Sequence, residues 1–199
     1  MTKPKRLVPG RCCGAIIDVQ PFFLAQIDRR LRSRMVTNIG NFARLLGHFR
    51  IPIVVTIEQP VDEKGKLPPA IARRLHDGAQ VFEKDHFDLC KEKKIRSHLA
   101  RLRKKQFILA GCETDVCVLQ SCLGLLNLGY EVYVVEELLF SSTPNVYAAI
   151  ARMEAAGATF LSYKTLFYEL CASVDRSGDA EEQLDAFGPF PGDLPDSAV

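Results

Sequence analysis

Much of what would place this chain in a familiar functional class is missing from it. No Cys-x-x-Cys pair occurs among its seven cysteines, which argues against zinc ribbons and thioredoxin-like redox sites. Seven is an odd number, and the spacing shows no regular framework, so structural disulfides are not expected. Most of these cysteines read as small buried hydrophobes. No Gly-x-Gly-x-x-Gly or Walker pattern is present, so a parallel sheet here would not imply nucleotide binding. No apolar run approaches the length of a membrane span. The start, MTKPKRLVPGRCCGAIID, is basic and then apolar, but it lacks the long apolar core and small-residue cleavage site of a signal peptide. An excess of one charge is absent as well. The 26 basic residues nearly balance the 24 acidic ones, for a net charge of +2, and nothing in that balance calls for nucleic acid or an anionic membrane. The expected compartment is the cytoplasm.

What is present suffices for a full-sized core: 199 residues, 47% of them hydrophobic. Residues 1–10 read as a flexible leader. Cys12 to Ile17 form a short apolar run closed by Asp18, which fits a buried strand. From Ile27 to Phe49 apolar residues recur in steps of three and four, the mark of an amphipathic helix. Ile51 to Ile57 is β-branched and reads as a second strand. Glu58 to Pro69 carries Pro60, Gly65, Pro68 and Pro69, and is longer than a connection needs; loops of that kind often sit over sites. A short helix at Ala70–Leu75 and a short strand at Ala79–Phe82, just before Lys84, come next. Leu89–Lys105 reads as a helix whose basic outer face is solvated surface. Gln106–Leu126 then reads as a buried strand, a break at Gly111, and a helix whose first turn carries Cys117. Glu131–Val135 is a further strand. Ser142-Thr143-Pro144 looks like a helix start, with the helix running to about Ala156 and stopping at Gly157. Ala158–Leu161 is the last strand, and Thr165–Ala172 a closing helix. The organisation expected is one domain over residues 1–174 and an acidic, Gly- and Pro-containing tail over 175–199.

Strands alternating with helices predict the α/β class. The architecture expected is a three-layer α/β/α sandwich on a six-stranded, mostly parallel sheet. Such sheets bind ligands beyond the C-terminal strand ends, where strand order reverses. In the order 3-2-1-4-5-6 the reversal lies between strands one and four. Asp18, ending strand one, would then face Cys117, just past strand four, and Lys84 stands at another strand end. A carboxylate can accept a thiol proton, and an ammonium and a helix N-terminus both favour thiolate. This predicts an easily ionised Cys117. Taken singly, each residue has a blander reading: a turn cap, a surface lysine, a buried inert cysteine.

Three stretches, AIIDVQPFF, FEKDHF and LAGCETDVCV, together resemble the isochorismatase-like cysteine hydrolases, the family that includes nicotinamidases and N-carbamoylsarcosine amidase. The order and strand positions match across roughly residues 12–170. The resemblance implies a Cys-Asp-Lys triad, with Cys117 as nucleophile, Asp18 as acid/base and Lys84 as electrostatic partner. It also implies a cis peptide at Cys112–Glu113 that would aim the N–H groups of Glu113 and Cys117 at an oxyanion. Gln20, Phe22, Phe23, His86, Phe87 and Thr114, in or beside the matched stretches, are the candidate pocket residues. A homo-oligomer is implied too. The nicotinamidase-type members bind a metal through an Asp-x-His-x-His pattern after the second strand. Here that place reads Thr56-Ile57-Glu58-Gln59-Pro60, with no His, so neither metal nor other cofactor is expected. True isochorismatases cleave a vinyl ether and lack the nucleophilic cysteine. Cys117 therefore points to hydrolysis of a C–N bond in a small amide or carbamoyl-type substrate, through a covalent thioester. The TIEQP stretch resembles a less-characterised, metal-lacking branch of the family. The competing expectation is an oligomeric binding or scaffold protein with little hydrolase activity.

Overall fold

Six strands lie side by side in the order β3-β2-β1-β4-β5-β6, every pair parallel. The computed structural model describes residues 6–173; the acidic tail expected over 175–199 lies outside the described residues. In chain order the elements are β1 (Cys12–Ile17), α1 (Pro21–Leu24), α2 (Arg29–His48), β2 (Ile53–Glu58), α3 (Val61–Lys64), α4 (Pro69–Ala72), β3 (Ala79–Lys84), α5 (Lys93–Leu102), β4 (Gln106–Gly111), α6 (Leu119–Asn127), β5 (Glu131–Leu139), α7 (Tyr147–Ala155), β6 (Thr159–Leu161) and α8 (Tyr163–Cys171). Two short 3-10 turns, Pro9–Arg11 and Leu89–Lys91, and one π turn, Thr114–Val118, complete the described chain.

Successive side chains of a strand point to opposite faces, and both faces of β1 and β4 are covered. Cys12 and Ile16 of β1, with Ile108 and Ala110 of β4, pack under Ile39, Phe42 and Leu46 of α2 and Leu166 and Leu170 of α8. Cys13, Ala15 and Ile17, with Phe107 and Leu109, pack under Ile95 and Leu99 of α5, Cys122 and Leu125 of α6 and Met153 of α7. This is why these strands read as unbroken apolar runs rather than alternating ones. At the start of α2, Asp28 caps the helix by accepting from the Arg30 backbone N–H at 2.8 Å. Among the described residues no helix is long and apolar enough to cross a membrane.

Several local expectations need correction. Residues 6–10 are not a free leader. Leu7 is buried, its N–H donates to Glu169 Oε2 at 3.0 Å, and the Val8 N–H donates to Gln106 Oε1 at 2.9 Å. The helix expected from Ser142–Pro144 begins only at Tyr147. β5 runs on to Leu139, and the segment after it is spent on other contacts: the Phe140 N–H donates to Gly111 O at 3.3 Å and the Ser142 N–H to Glu113 Oε1 at 3.0 Å. The basic helix is shorter than expected at both ends. Asp88 caps a separate turn through the Cys90 N–H at 2.7 Å, and Arg103 leaves α5 in the left-handed region at φ 53°. The long loop after β2 contains α3, which opens after Pro60.

Candidate active site

Parallel register brings the ends of four strands together. Ile17 stands opposite Gly111, so Asp18 emerges beside the turn after β4. Glu58 stands opposite Lys84, so β2 and β3 end on a carboxylate and an ammonium side by side. Gly111 permits the approach. Its φ is +123°, and a Cβ built there would lie 2.1 Å from the Ile17 carbonyl oxygen, so only glycine fits between β4 and β1. Asp18 itself has φ 52°, a left-handed conformation that costs a residue with a side chain about 1 kcal/mol. It is held there by backbone bonds from its N–H to Thr56 O at 3.0 Å and from the Gln20 N–H to its own carbonyl at 2.8 Å.

After Gly111 the Cys112–Glu113 peptide is cis, and the Thr114–Val118 π turn follows, closed by the Val118 N–H on Glu113 O at 3.0 Å. Glu113 and Cys117, whose N–H groups are the expected oxyanion donors, both belong to this bend. Asp115 is hydrogen-bonded by the Ser141 hydroxyl, which ties the turn to the segment after β5.

Four side chains converge. Asp18 Oδ1 accepts from Thr56 Oγ1 at 2.8 Å, and Asp18 Oδ2 lies 2.7 Å from Lys84 Nζ, both side chains being fully buried. Lys84 Nζ is also 3.3 Å from Glu58 Oε2 and 3.6 Å from Cys117 Sγ. The Cys117 thiol donates to Glu58 Oε2 at 3.0 Å. Glu58 Oε1 is paired with Lys64 Nζ at 2.5 Å, and Lys64 donates as well to Gln59 O at 2.7 Å. Two carboxylates thus meet two ammoniums around a neutral thiol.

The electrostatics follow from this count. Burial raises the Asp18 carboxyl above its usual range, against the pull of Lys84 and its hydrogen bonds. Burial opposes the Glu58 charge too, but Lys64, Cys117 and Lys84 outweigh it and hold that carboxyl below the usual range. Burial likewise opposes the Lys84 charge, and Asp18, Cys117 and Glu58 more than compensate, so the ammonium is held more firmly than usual. The expected easily ionised Cys117 is not found. Burial, the Asp18 charge and the Glu58 hydrogen bond keep the proton on sulfur, and Lys84 only partly opposes them. The physical reason is that ionising the thiol in place would add a third anion to a dry cluster.

The candidate pocket residues divide. Phe22 and Phe87 are about half exposed, whereas Phe23 is buried and meets the Phe22 ring edge-on with centroids 5.3 Å apart. Thr114 is buried and donates through Oγ1 to Phe140 O at 3.1 Å. His86 is an exposed residue whose Nδ1 lies 2.7 Å from Glu92 Oε1. Gln20 is not a pocket wall. It is fully buried, its amide N–H groups donate to Glu58 O at 3.0 Å and Gly65 O at 2.8 Å, and its Oε1 accepts the Glu58 N–H at 2.7 Å. It positions Glu58.

Glu58 was not anticipated as a site residue. One signal for it exists in the sequence: it closes a buried β-branched strand, as Asp18 closes the first. Asp18, Glu58 and Cys117 present potential ligand atoms all within 4.8 Å of one another. The Lys84 ammonium stands among the same three groups, so positive charge is already supplied there by the chain itself.

Residues 15–165 match the family described as Isochorismatase domain. The secreted isochorismatase effector Isc1 of Phytophthora sojae is 32% identical over 176 residues, covering 83% of this chain and 79% of that protein. The structure of MAR1 ribonuclease from Caenorhabditis elegans aligns with a TM-score of 0.83 at 25% identity, covering 98% of this chain and 100% of that one. The YcaC gene product of Escherichia coli, described as an octameric hydrolase of unknown specificity, aligns with a TM-score of 0.84 at 22% identity, covering 94% and 92%.

Proposed function

The chain belongs to the isochorismatase-like hydrolase family, and on that premise we propose that it is a metal-independent cysteine hydrolase cleaving the C–N bond of a small amide or carbamoyl-type substrate. The observation that carries the reading is the convergence of Cys117, Asp18 and Lys84, with Lys84 Nζ 2.7 Å from Asp18 and 3.6 Å from the sulfur.

In this reading Cys117 Sγ forms a bond to the carbonyl carbon as its proton passes to a carboxylate of the cluster, Asp18 in the simplest triad. The carbonyl π pair moves onto oxygen, facing the N–H groups of Glu113 and Cys117. The C–N bond then breaks, and the nitrogen takes up the proton as it leaves. Water attacks the thioester, its hydroxyl joining the carbon and its remaining proton returning to sulfur as the C–S bond breaks. Lys84 stays charged throughout and steadies whichever anion is present. Phe22, Phe87 and Thr114 remain the candidate substrate contacts. Seven cysteines, none of them in a disulfide, suit a reducing, cytoplasmic compartment, and the octamer described for YcaC supports a homo-oligomer.

The test is intact-mass detection of an acyl adduct after incubation with a panel of small amides and carbamoyl compounds, alongside their turnover. The expected result is an adduct on Cys117 and loss of turnover in C117A. Unchanged turnover in C117A refutes the assignment.

A further inference from the structure

We infer that the site is a four-residue one in which Glu58, not Asp18, is the first acceptor of the Cys117 proton. This deepens the reading of Cys117 as nucleophile and rests on it. The geometry distinguishes the two carboxylates. The thiol donates to Glu58 Oε2 at 3.0 Å. Asp18 Oδ1 already accepts from the Thr56 hydroxyl at 2.8 Å and Oδ2 is ion-paired with Lys84 at 2.7 Å, so the thiol is only one of three neighbours that share that carboxylate. Glu58 is also firmly mounted. Gln20 grips its backbone on both sides, through the Glu58 N–H at 2.7 Å and the Glu58 carbonyl at 3.0 Å. Its far oxygen is fastened by Lys64 at 2.5 Å.

The charged and titratable groups facing Glu58 are Lys64 from α3, Lys84 from β3, Asp18 after β1 and Cys117 in the π turn. The two ammoniums and the thiol hydrogen bond outweigh burial and keep Glu58 charged and able to accept a proton, with a lower proton affinity than usual; burial raises that of Asp18, so it is the thiol's hydrogen bond to Glu58 at 3.0 Å that singles out the acceptor. Two carboxylates whose environments move them in opposite directions are suited to different roles. Transfer from sulfur to Glu58 leaves the cluster's total charge unchanged, which answers the problem of a thiol that does not ionise by itself. The step balances. The S–H bond breaks, its proton binds Glu58 Oε2, and the sulfur pair forms the C–S bond while the carbonyl π pair moves to oxygen. When the C–N bond breaks, the departing nitrogen takes the proton from Glu58. Asp18 then acts as a positioning group that holds Lys84 beside the sulfur.

The experiment measures the rate of Cys117 alkylation by iodoacetamide, read by peptide mass, across pH in the wild type, E58Q, E58D, D18N and C117A. The expected result is a loss of at least about tenfold at neutral pH in E58Q, partial recovery in E58D, and a smaller loss in D18N than in E58Q. In the wild type the acid limb should lie below the ordinary glutamate value of about 4.3. A matched thermal melt of each variant separates the loss from unfolding: E58D retains the charge and must recover rate if proton acceptance is what E58Q lost. A loss in D18N equal to or greater than that in E58Q overturns the inference, as does an acid limb above about pH 4.3; either result leaves Cys117 as nucleophile. If wild-type Cys117 labels no faster than the other six cysteines, the underlying reading of an activated nucleophile falls instead.

Discussion

Replacing Lys84 by methionine tests whether the site is held together by charge. The ammonium is fully buried, 2.7 Å from an equally buried Asp18 carboxylate. Removing one member of a buried pair costs about 3–5 kcal/mol, because the remaining charge is left without compensation. Glu58 keeps Lys64 at 2.5 Å, so the loss falls mainly on Asp18. That residue has an escape: it takes up a proton. Its carboxyl is already raised by burial, and without Lys84 it rises further. For an acid raised in the folded state, the native protein binds more protons than the unfolded one, so unfolding free energy falls as pH rises. The slope approaches about 1.4 kcal/mol per pH unit between the unfolded value near 3.9 and the folded value. K84M should therefore approach the wild type near pH 4 and lose stability on going to pH 7. The double variant K84M/D18N should recover most of that loss, since an amide can still accept from Thr56. Urea denaturation at several pH values measures all of this. A K84M loss below about 1 kcal/mol at pH 7, or one that neither varies with pH nor is relieved by D18N, would refute the reasoning.

Three further outcomes follow from the same geometry. G111A sets a methyl 2.1 Å from the Ile17 carbonyl at a φ of +123° and should cost about 3 kcal/mol or more, measured by denaturation; a loss under about 1 kcal/mol would mean that β4 can move away from β1. Q20A removes the bonds that grip Glu58 and Gly65, so it should destabilise by about 1–3 kcal/mol and slow Cys117 alkylation, whereas Phe22→Ala, at an exposed position, should leave the melt unchanged. K64M removes one of the groups that hold Glu58 below the usual range, so the acid limb of Cys117 alkylation should move upward; an unmoved limb would exclude Glu58 from that titration.

The alternation of segments, the doubly covered strands and the positions of Asp18, Lys84 and Cys117 at strand ends were legible from residue order alone. The reason is local. A run such as Cys12 to Ile17 has no polar side to show to water, so it must be covered on both faces, and the polar residue that closes it falls at the rim. The resemblance carried by three short motifs then named a family, which the match over residues 15–165 bears out. The role of Glu58 was not legible, because it depends on register: it meets Lys84 only because β2 and β3 pair with those two residues opposite one another. The start of α7 was not legible either, for a related reason. Pro144 is a fair local signal, but the preceding residues are drawn into contacts with Glu113 and Gly111 from β4's turn. The ionisation of Cys117 was also beyond the sequence. A thiol at the start of a helix looks acidic from its neighbours in the chain, yet its proton affinity is set by burial and by two carboxylates that reach it from β1 and β2, 99 and 59 positions earlier. Chain order determined which groups stand at the rim of the sheet; packing decided which of them touch, and with that the charge each one carries.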